Sequence, residues 1–180
     1  MASNKTTLKI VMTALMAAMT CIATMIIQVP SPTGGYIHLG DGLVLLSGII
    51  LGPVYGALAA GIGSMLADLL SGYPQYAIAT LFIKALAAIV GGVIYTIFTT
   101  RKVSRFIAVI AAGIGGGVIV TLGYFSFDTF LLGSSVAAAV TGIPANIVQN
   151  IFGIIVSSLL MPFLIKSPFV KELILKEVKF

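Results

Sequence analysis

The sequence predicts an all-α membrane protein, a single domain over residues 1–180 with six transmembrane helices and both termini in the cytoplasm. Hydrophobic residues make up 59% of the chain and charged residues 8%, and the mean hydropathy is +1.16. These values are far too apolar for a soluble domain. Because a helix needs about 20 apolar residues to cross about 30 Å of hydrocarbon, the length suits one bundle of five to seven spans and leaves no soluble domain.

The first predicted helix covers residues 8–27 and follows Lys5 and Lys9. This apolar run is too long for the core of a signal peptide, and no small-residue cleavage site follows it. Ala14 and Ala18 are four residues apart, a spacing that lets another helix approach closely. Spacing alone leaves two interpretations open, ordinary packing within the bundle or a contact with another subunit.

The second and third predicted helices, residues 41–51 and 54–70, are separated by Gly52-Pro53. Proline removes a helical hydrogen bond and clashes with the preceding turn, so this dipeptide breaks or sharply kinks the run. The segment before them, residues 30–35, is rich in proline and glycine and is predicted to be a loop.

The remaining predicted helices cover residues 76–99, 106–127 and 136–165. The last of them is expected to begin in earnest after Pro144, because proline suits a first helical turn. Residues 166–180 carry alternating lysines and glutamates and predict a short surface segment.

Basic residues decide the orientation. With a turn at Gly52-Pro53, the N-terminus, the Arg101–Arg105 loop and the C-terminal lysines all lie in the cytoplasm, as the positive-inside tendency requires. Asp41, Asp68 and Asp128 then lie at the external face. A single helix over residues 41–70 would place the 101–105 loop on the opposite side.

Three ionisable side chains, Asp41, Asp68 and Lys84, fall inside or at the lip of apolar runs, where a charge is expensive unless it is paired or hydrated. Amides of the last helix lie at the same predicted depth, below external loops rich in tyrosine. The predicted outward-facing pocket for a small, partly aromatic solute is built from Tyr36, His38, Asp41, Asp68, Tyr73, Gln75, Tyr76, Lys84, Asn146, Gln149 and Asn150. Two alternatives remain open: Asp68 and Lys84 form a structural ion pair, or the amides only bond neighbouring helices.

Several classes of function lack their motifs in this sequence. There is no GxxxxGK[ST] loop for ATP and no HExxH or GxSxG set, so an enzyme is not expected and no catalytic residue is assigned. Cys21 and His38 are the only residues of their types, so no metal site or cofactor is expected in this chain. The basic residues are not interleaved with aromatic residues, and no nucleic-acid partner is predicted.

The sequence resembles the S components of energy-coupling factor (ECF) vitamin transporters. The resemblance rests on the Ala14-xxx-Ala18 face, on H-L-G-D at residues 38–41, on L-G-P-V-Y-G-A-L-A-A-G-I-G-S-x-L-A-D-L at residues 51–69 and on P-A-N-I-V-Q-N at residues 144–150. It covers nearly the whole chain and is strongest over residues 36–95. Within the family, the chain looks most like the branch for hydroxymethylpyrimidine or pyridoxine-type substrates, with riboflavin as the alternative.

The resemblance implies a substrate-binding subunit in the plasma membrane of a bacterium. Such a subunit binds a vitamin through its outward loops and docks onto a membrane coupling subunit driven by two cytoplasmic ATPases. The docking face implied here contains Ala14 and Ala18. Two hypotheses of other classes stand beside it: a self-contained ion-coupled transporter that uses Asp68 and Lys84 as relay groups, and a structural subunit without a ligand.

Overall fold

The computed structural model describes residues 2–31, 34–168, 170, 171 and 173, with side chains from residue 6 onward. It is a helical bundle with one small hairpin of strands at one end. In chain order the elements are α1 (Ala2–Ile26), β1 (Gln28–Pro30), β2 (Tyr36–His38), α2 (Asp41–Leu70), α3 (Pro74–Thr100), α4 (Arg105–Phe130), α5 (Val136–Val140) and α6 (Gly142–Leu164). The predicted tail beyond residue 173 lies outside the described residues.

Helix α2 contains a reversal of the chain at Gly52. This glycine has φ 75° and ψ −175°, which is not helical, and Pro53 follows it. A Cβ placed on Gly56 would lie 2.5 Å from the carbonyl oxygen of Ser47. Nine residues of straight helix would separate those positions by about 13 Å, so the segment after Gly52 folds back on the segment before it.

The predicted turn at Gly52-Pro53 is therefore present, and it brings both ends of α2 to the same end of the bundle. Within the described residues, five segments are long and apolar enough to cross a membrane: Thr6–Ile26, Asp41–Leu70, Pro74–Thr100, Arg105–Phe130 and Val136–Leu164. The arm of α2 before the turn, residues 41–51, is about 16 Å long and shorter than the hydrocarbon core. The count of six crossings and the cytoplasmic termini stay predictions.

Close helix contacts through glycine hold α2 and α3 together. A Cβ on Gly48 would collide with the carbonyl oxygen of Ala88, and one on Gly92 would lie 2.5 Å from the carbonyl oxygen of Gly48. Such backbone proximity increases dispersion contact between helices, which the bilayer cannot replace by a hydrophobic effect. The core around this contact includes the buried side chains of Leu46 and Ile50.

Two short strands flank the predicted loop at residues 30–35, and they were not expected from the sequence. Strands β1 and β2 pair antiparallel, with Val29 opposite Ile37, and we call this pair the roof hairpin. Its turn is closed by a hydrogen bond from the Ser31 N–H to the Gly35 carbonyl at 2.9 Å. The sequence signal for the strands was weak because each is only three residues long.

The last predicted helix is interrupted at Thr141, between α5 and α6. Ser135 caps α5, its hydroxyl oxygen accepting the Ala138 N–H at 3.2 Å. Helix α6 begins at Gly142, which places Pro144 in its first turn as expected from the sequence.

Candidate functional site

A pocket lies beneath the roof hairpin, at the end of the bundle where both ends of α2 meet. It encloses about 480 Å³ of empty space, part of which is open to solvent. Residues from the hairpin and four helices contribute to its wall: Ser31, Gly35, Tyr36, Ile37, His38, Asp68, Tyr76, Thr80, Tyr124, Asp128, Ala145, Asn146 and Gln149. Its wall combines aromatic rings with carboxylates, hydroxyls and amides, as small-molecule sites commonly do.

Tyr36 fastens the roof hairpin to the end of α2. Its hydroxyl donates to Asp68 Oδ1 at 2.7 Å, and its ring packs against the ring of Tyr73 with centroids 4.7 Å apart. A second fastening joins Gln28 Nε2 to Ser71 Oγ at 2.8 Å. Burial, and after it the Asp68 charge, raise the pKa of the Tyr36 phenol, against a smaller opposing effect of Ser71.

A buried polar network lies at the foot of the pocket. Lys84 Nζ donates to Asp41 Oδ1 at 2.5 Å, and Gln149 Nε2 donates to Asp41 Oδ2 at 2.9 Å. Gln149 Oε1 accepts the backbone N–H of His38 at 3.1 Å. One glutamine thus connects α6 to both α2 and the roof hairpin, and both oxygens of Asp41 have partners.

This network corrects the predicted pairing of Asp68 with Lys84. Lys84 pairs with Asp41, and its side chain is 0% exposed, whereas Asp68 bonds Tyr36. The chain reversal in α2 brings both aspartates to the same end of the bundle as Lys84. Sequence position alone therefore left the choice between them open.

His38 is buried as a neutral imidazole. Its Nδ1 accepts the Gly40 N–H at 3.0 Å, which leaves Nε2 as the protonated nitrogen. The pKa of His38 is lowered to about 3, chiefly by burial; the Asp41 charge opposes this shift and the Lys84 cation adds to it. The pocket wall is uncharged at this position under physiological conditions.

Tyrosines and a second carboxylate line the pocket from α3 and α4. Tyr76 Oη donates to Asp128 Oδ1 at 3.2 Å. The hydroxyls of Thr80 and Tyr124 share a hydrogen bond of 2.9 Å, and Lys84 Nζ lies 5.3 Å from the centre of the Tyr124 ring. This cation–π contact links Tyr124, in the pocket wall, to the buried ion pair of Lys84 and Asp41 beneath it.

The family model for the ECF-type riboflavin transporter S component matches residues 4–166. The chain belongs to this family.

This S component has a relative in Pyrococcus woesei, an uncharacterized protein in gap 3'region, that is 32% identical over 136 residues, or 75% of this chain and 86% of the relative. A solved structure, described as the structure and mechanism of the S component of a bacterial ECF transporter, matches 91% of this chain and 97% of its own. The TM-score is 0.66 at 22% identity, so that likeness concerns the fold. Family membership implies a vitamin substrate and a complex with a coupling subunit and ATPases.

The structure brings most of the predicted site residues of this S component together. Six of them line the pocket: Tyr36, His38, Asp68, Tyr76, Asn146 and Gln149. Tyr73 packs against Tyr36, and Asp41 and Lys84 lie in the network beneath. Whether any of them contacts substrate stays a prediction.

Gln75 and Asn150 lie away from this pocket. Gln75 is exposed at the start of α3. Asn150 Nδ2 donates to the Gly117 carbonyl at 2.9 Å and to Thr121 Oγ1 at 3.0 Å. Asn150 thus links α6 to α4. For this residue the structure agrees with the alternative in which the amides only bond neighbouring helices.

Sequence reasoning left seven lining residues out of the predicted site, and four of them have polar side chains: Ser31, Thr80, Tyr124 and Asp128. Tyr124 and Asp128 are one helical turn apart and so share a face. Thr80 precedes Lys84 by the same interval. These spacings were available signals for three further polar positions, one on α3 and two on α4.

Among the described residues, no three His, Cys, Asp or Glu side chains come close enough to hold a metal ion. Ala14 and Ala18 are both exposed on the outer surface of α1. Their neighbours Val11 and Leu15 are also exposed, at 57% and 51%. The face that contains the two alanines is therefore not used for packing within the described chain.

Proposed function

We propose that this S component captures riboflavin in the pocket beneath the roof hairpin. The observation that carries the proposal is the combination of a riboflavin-type family match over residues 4–166 with a pocket of aromatic rings and hydrogen-bonding groups. Tyrosine rings provide flat apolar surfaces for a fused ring system. Carboxylates and amides provide partners for its polar edge and hydroxylated chain.

Hydroxymethylpyrimidine and pyridoxine are the alternative substrates. Both are flat heterocycles with hydroxyl donors, and the pocket chemistry would also suit them. The resemblance of the sequence alone favoured this branch. The family match supports riboflavin over it.

For delivery, we propose that the α1 face with Ala14 and Ala18 docks against a membrane coupling subunit. Small exposed residues let a partner helix approach closely, and both alanines are exposed. Two ATPases bound to the coupling subunit would supply the energy. The pocket would face outward in the plasma membrane, and movement of the whole bundle would carry the bound vitamin inward.

Binding by the purified full chain in detergent tests the substrate. Riboflavin fluorescence is expected to be quenched at 1:1 stoichiometry, and mass spectrometry of the purified protein is expected to detect the co-purified flavin. Hydroxymethylpyrimidine, pyridoxine and thiamine should compete weakly. Tight binding of one of these three, without binding of riboflavin, would identify that compound as the substrate instead. If none of the four compounds binds, the proposal is overturned.

The ion-coupled alternative has a separate test. Uptake by the chain alone in liposomes under an ion gradient would favour it. The observed pairing gives the ion-coupled alternative little support, because Lys84 is bound to Asp41 inside the network and not to the predicted relay partner Asp68.

A further inference from the structure

Asp68 has one carboxylate oxygen without a partner. Tyr36 occupies Oδ1, while Oδ2 is buried and has no hydrogen-bond partner among the described residues. The residue as a whole is only 6% exposed, and it lines the pocket. A buried acceptor left unsatisfied is costly, and such groups in a folded protein call for an explanation.

Two neighbouring donors are bound to other carboxylates. The Tyr76 hydroxyl donates to Asp128, and the Lys84 ammonium donates to Asp41. The Thr80 hydroxyl lies beside the Asp68 carboxylate and shares a hydrogen bond with the Tyr124 hydroxyl, in which either oxygen could be the donor.

Aromatic side chains surround the same place. The ring of Tyr36 lies between those of Tyr73 and His38, at centroid distances of 4.7 and 5.4 Å. The rings of Tyr76 and Tyr124 line the same pocket, with centroids 6.3 Å apart.

We propose that Asp68 is a specificity-determining residue whose Oδ2 accepts a hydrogen bond from an N–H donor on the heterocycle of the ligand. Tyr36 positions this carboxylate by occupying its other oxygen. The ligand class is then an uncharged or cationic heterocycle with a ring N–H, because two carboxylates, Asp68 and Asp128, line the pocket and its histidine is neutral. This inference rests on the proposed function and assigns the ring N–H of riboflavin to Asp68.

The test combines two proteins, the wild type and one variant, with two ligands. Riboflavin and its N3-methyl derivative, which lacks the ring N–H, are titrated against the wild type and Asp68→Asn in the same detergent. Loss of a hydrogen bond to a charged acceptor should weaken riboflavin binding to Asp68→Asn by about tenfold to a hundredfold. The N3-methyl derivative should bind the wild type more weakly than riboflavin, and this discrimination should shrink in the variant.

Asp128→Asn is the matched control, because it removes the same charge from another residue that lines the pocket. It should lower affinity while keeping the preference for riboflavin over the N3-methyl derivative. Circular dichroism and thermal unfolding show whether each variant is folded. If Asp68→Asn does not fold, Asp68→Glu is used in its place. The glutamate keeps a carboxylate acceptor but displaces it, and this variant should show the same loss of discrimination.

The outcomes separate this inference from the proposed function. Equal riboflavin affinity, or undiminished discrimination, in a folded Asp68 variant would overturn the role of Asp68 while leaving riboflavin as substrate. Binding of hydroxymethylpyrimidine in place of riboflavin would overturn both the substrate and the ring N–H assignment, because its pyrimidine ring carries no N–H. Binding of pyridoxine in place of riboflavin would overturn the substrate alone, because the protonated pyridine nitrogen is itself a ring N–H donor. Sensitivity to removal of the ribityl chain, but not to N3-methylation, would transfer the contact from the heterocycle to a hydroxyl and so contradict the assignment.

Discussion

At the scale of single residues, Lys84 and Asp41 form an ion pair inside the bundle. The lysine side chain is 0% exposed and the aspartate side chain 8%. Removing one partner of such a pair leaves an uncompensated buried charge, which costs about 3–5 kcal/mol, whereas removing both charges costs much less. The sequence interpretation gave Lys84 a role in ligand binding, but its position makes stability the larger effect.

We therefore expect Lys84→Met to lower the free energy of unfolding by about 3–5 kcal/mol. The double variant Asp41→Asn with Lys84→Met should recover at least half of that loss, because the asparagine can still accept a hydrogen bond from Gln149 Nε2. Thermal and denaturant unfolding in detergent measure the free energy of unfolding of the single and the double variant. A single variant as stable as the wild type would show that the pair contributes nothing to the fold.

His38 makes stability dependent on pH. Burial lowers the pKa of His38 to about 3 in the folded protein, against about 6.5 for an exposed histidine. The unfolded chain therefore takes up a proton that the folded chain excludes. The contribution of His38 is fully present above pH 6.5 and is lost as the pH falls toward the folded-state pKa.

Between pH 7.5 and 5.5 this linkage should reduce the free energy of unfolding by about 1 kcal/mol. The control is His38→Asn, whose side-chain oxygen can still accept the Gly40 N–H but does not titrate. Unfolding of both proteins is followed over this range. An equally steep pH dependence in His38→Asn would assign the effect to another group.

At the scale of elements, the chain reversal in α2 depends on the backbone of Gly52. A φ of 75° with a ψ of −175° lies in a region that is almost restricted to glycine, and another residue there costs about 1–3 kcal/mol. The reversal brings Asp41 and Asp68 to one end of the bundle, where the first bonds Lys84 and the second bonds Tyr36. Strain at Gly52 would therefore weaken the site as well as the fold.

Gly52→Ala is expected to lower the free energy of unfolding by about 2–3 kcal/mol. Gly72→Ala is the matched control: Gly72 also has a positive φ, 86°, but a Cβ there would meet nothing within 4 Å, and we expect a loss of about 1 kcal/mol. Both are measured by thermal unfolding. A loss at Gly52 no greater than at Gly72 would mean that the reversal tolerates a side chain.

At the scale of the whole molecule, substrate capture and docking use different surfaces. The pocket lies beneath the roof hairpin, whereas the α1 face with Ala14 and Ala18 is on the outer surface of the bundle. No described residue of α1 lines the pocket. A change on this face should therefore affect assembly without affecting the site.

We expect the pair Ala14→Trp and Ala18→Trp to leave riboflavin affinity within about twofold of the wild type. Uptake by the assembled transporter should fall below a tenth of its normal rate, because bulky rings prevent close approach of a partner helix. Titration of the isolated chain and uptake by cells that express all subunits are the two measurements. Lost binding would make this face part of the internal packing, and normal uptake would place the docking surface elsewhere.

The sequence by itself determined the class of protein, the approximate helices and the turn at Gly52-Pro53. These depend on local properties, long apolar runs and the backbone restrictions of glycine and proline, which need no knowledge of neighbouring helices. It also indicated which polar residues share the pocket end of the bundle, because depth along a helix follows from position in the chain. Six of the predicted site residues line one pocket for that reason.

Only the tertiary structure decided how those residues are paired. Asp41 and Asp68 lie at similar depth, so the choice of Lys84 partner depended on the rotation of α2 and α3 about their axes, which helical spacing does not determine. The same holds for Asn150, whose amide faces α4, and for Gln149 one residue earlier, which faces Asp41 and the roof hairpin. The pairing of Asp68 Oδ1 with Tyr36, which leaves Oδ2 without a partner among the described residues, likewise depends on how the roof hairpin packs on α2.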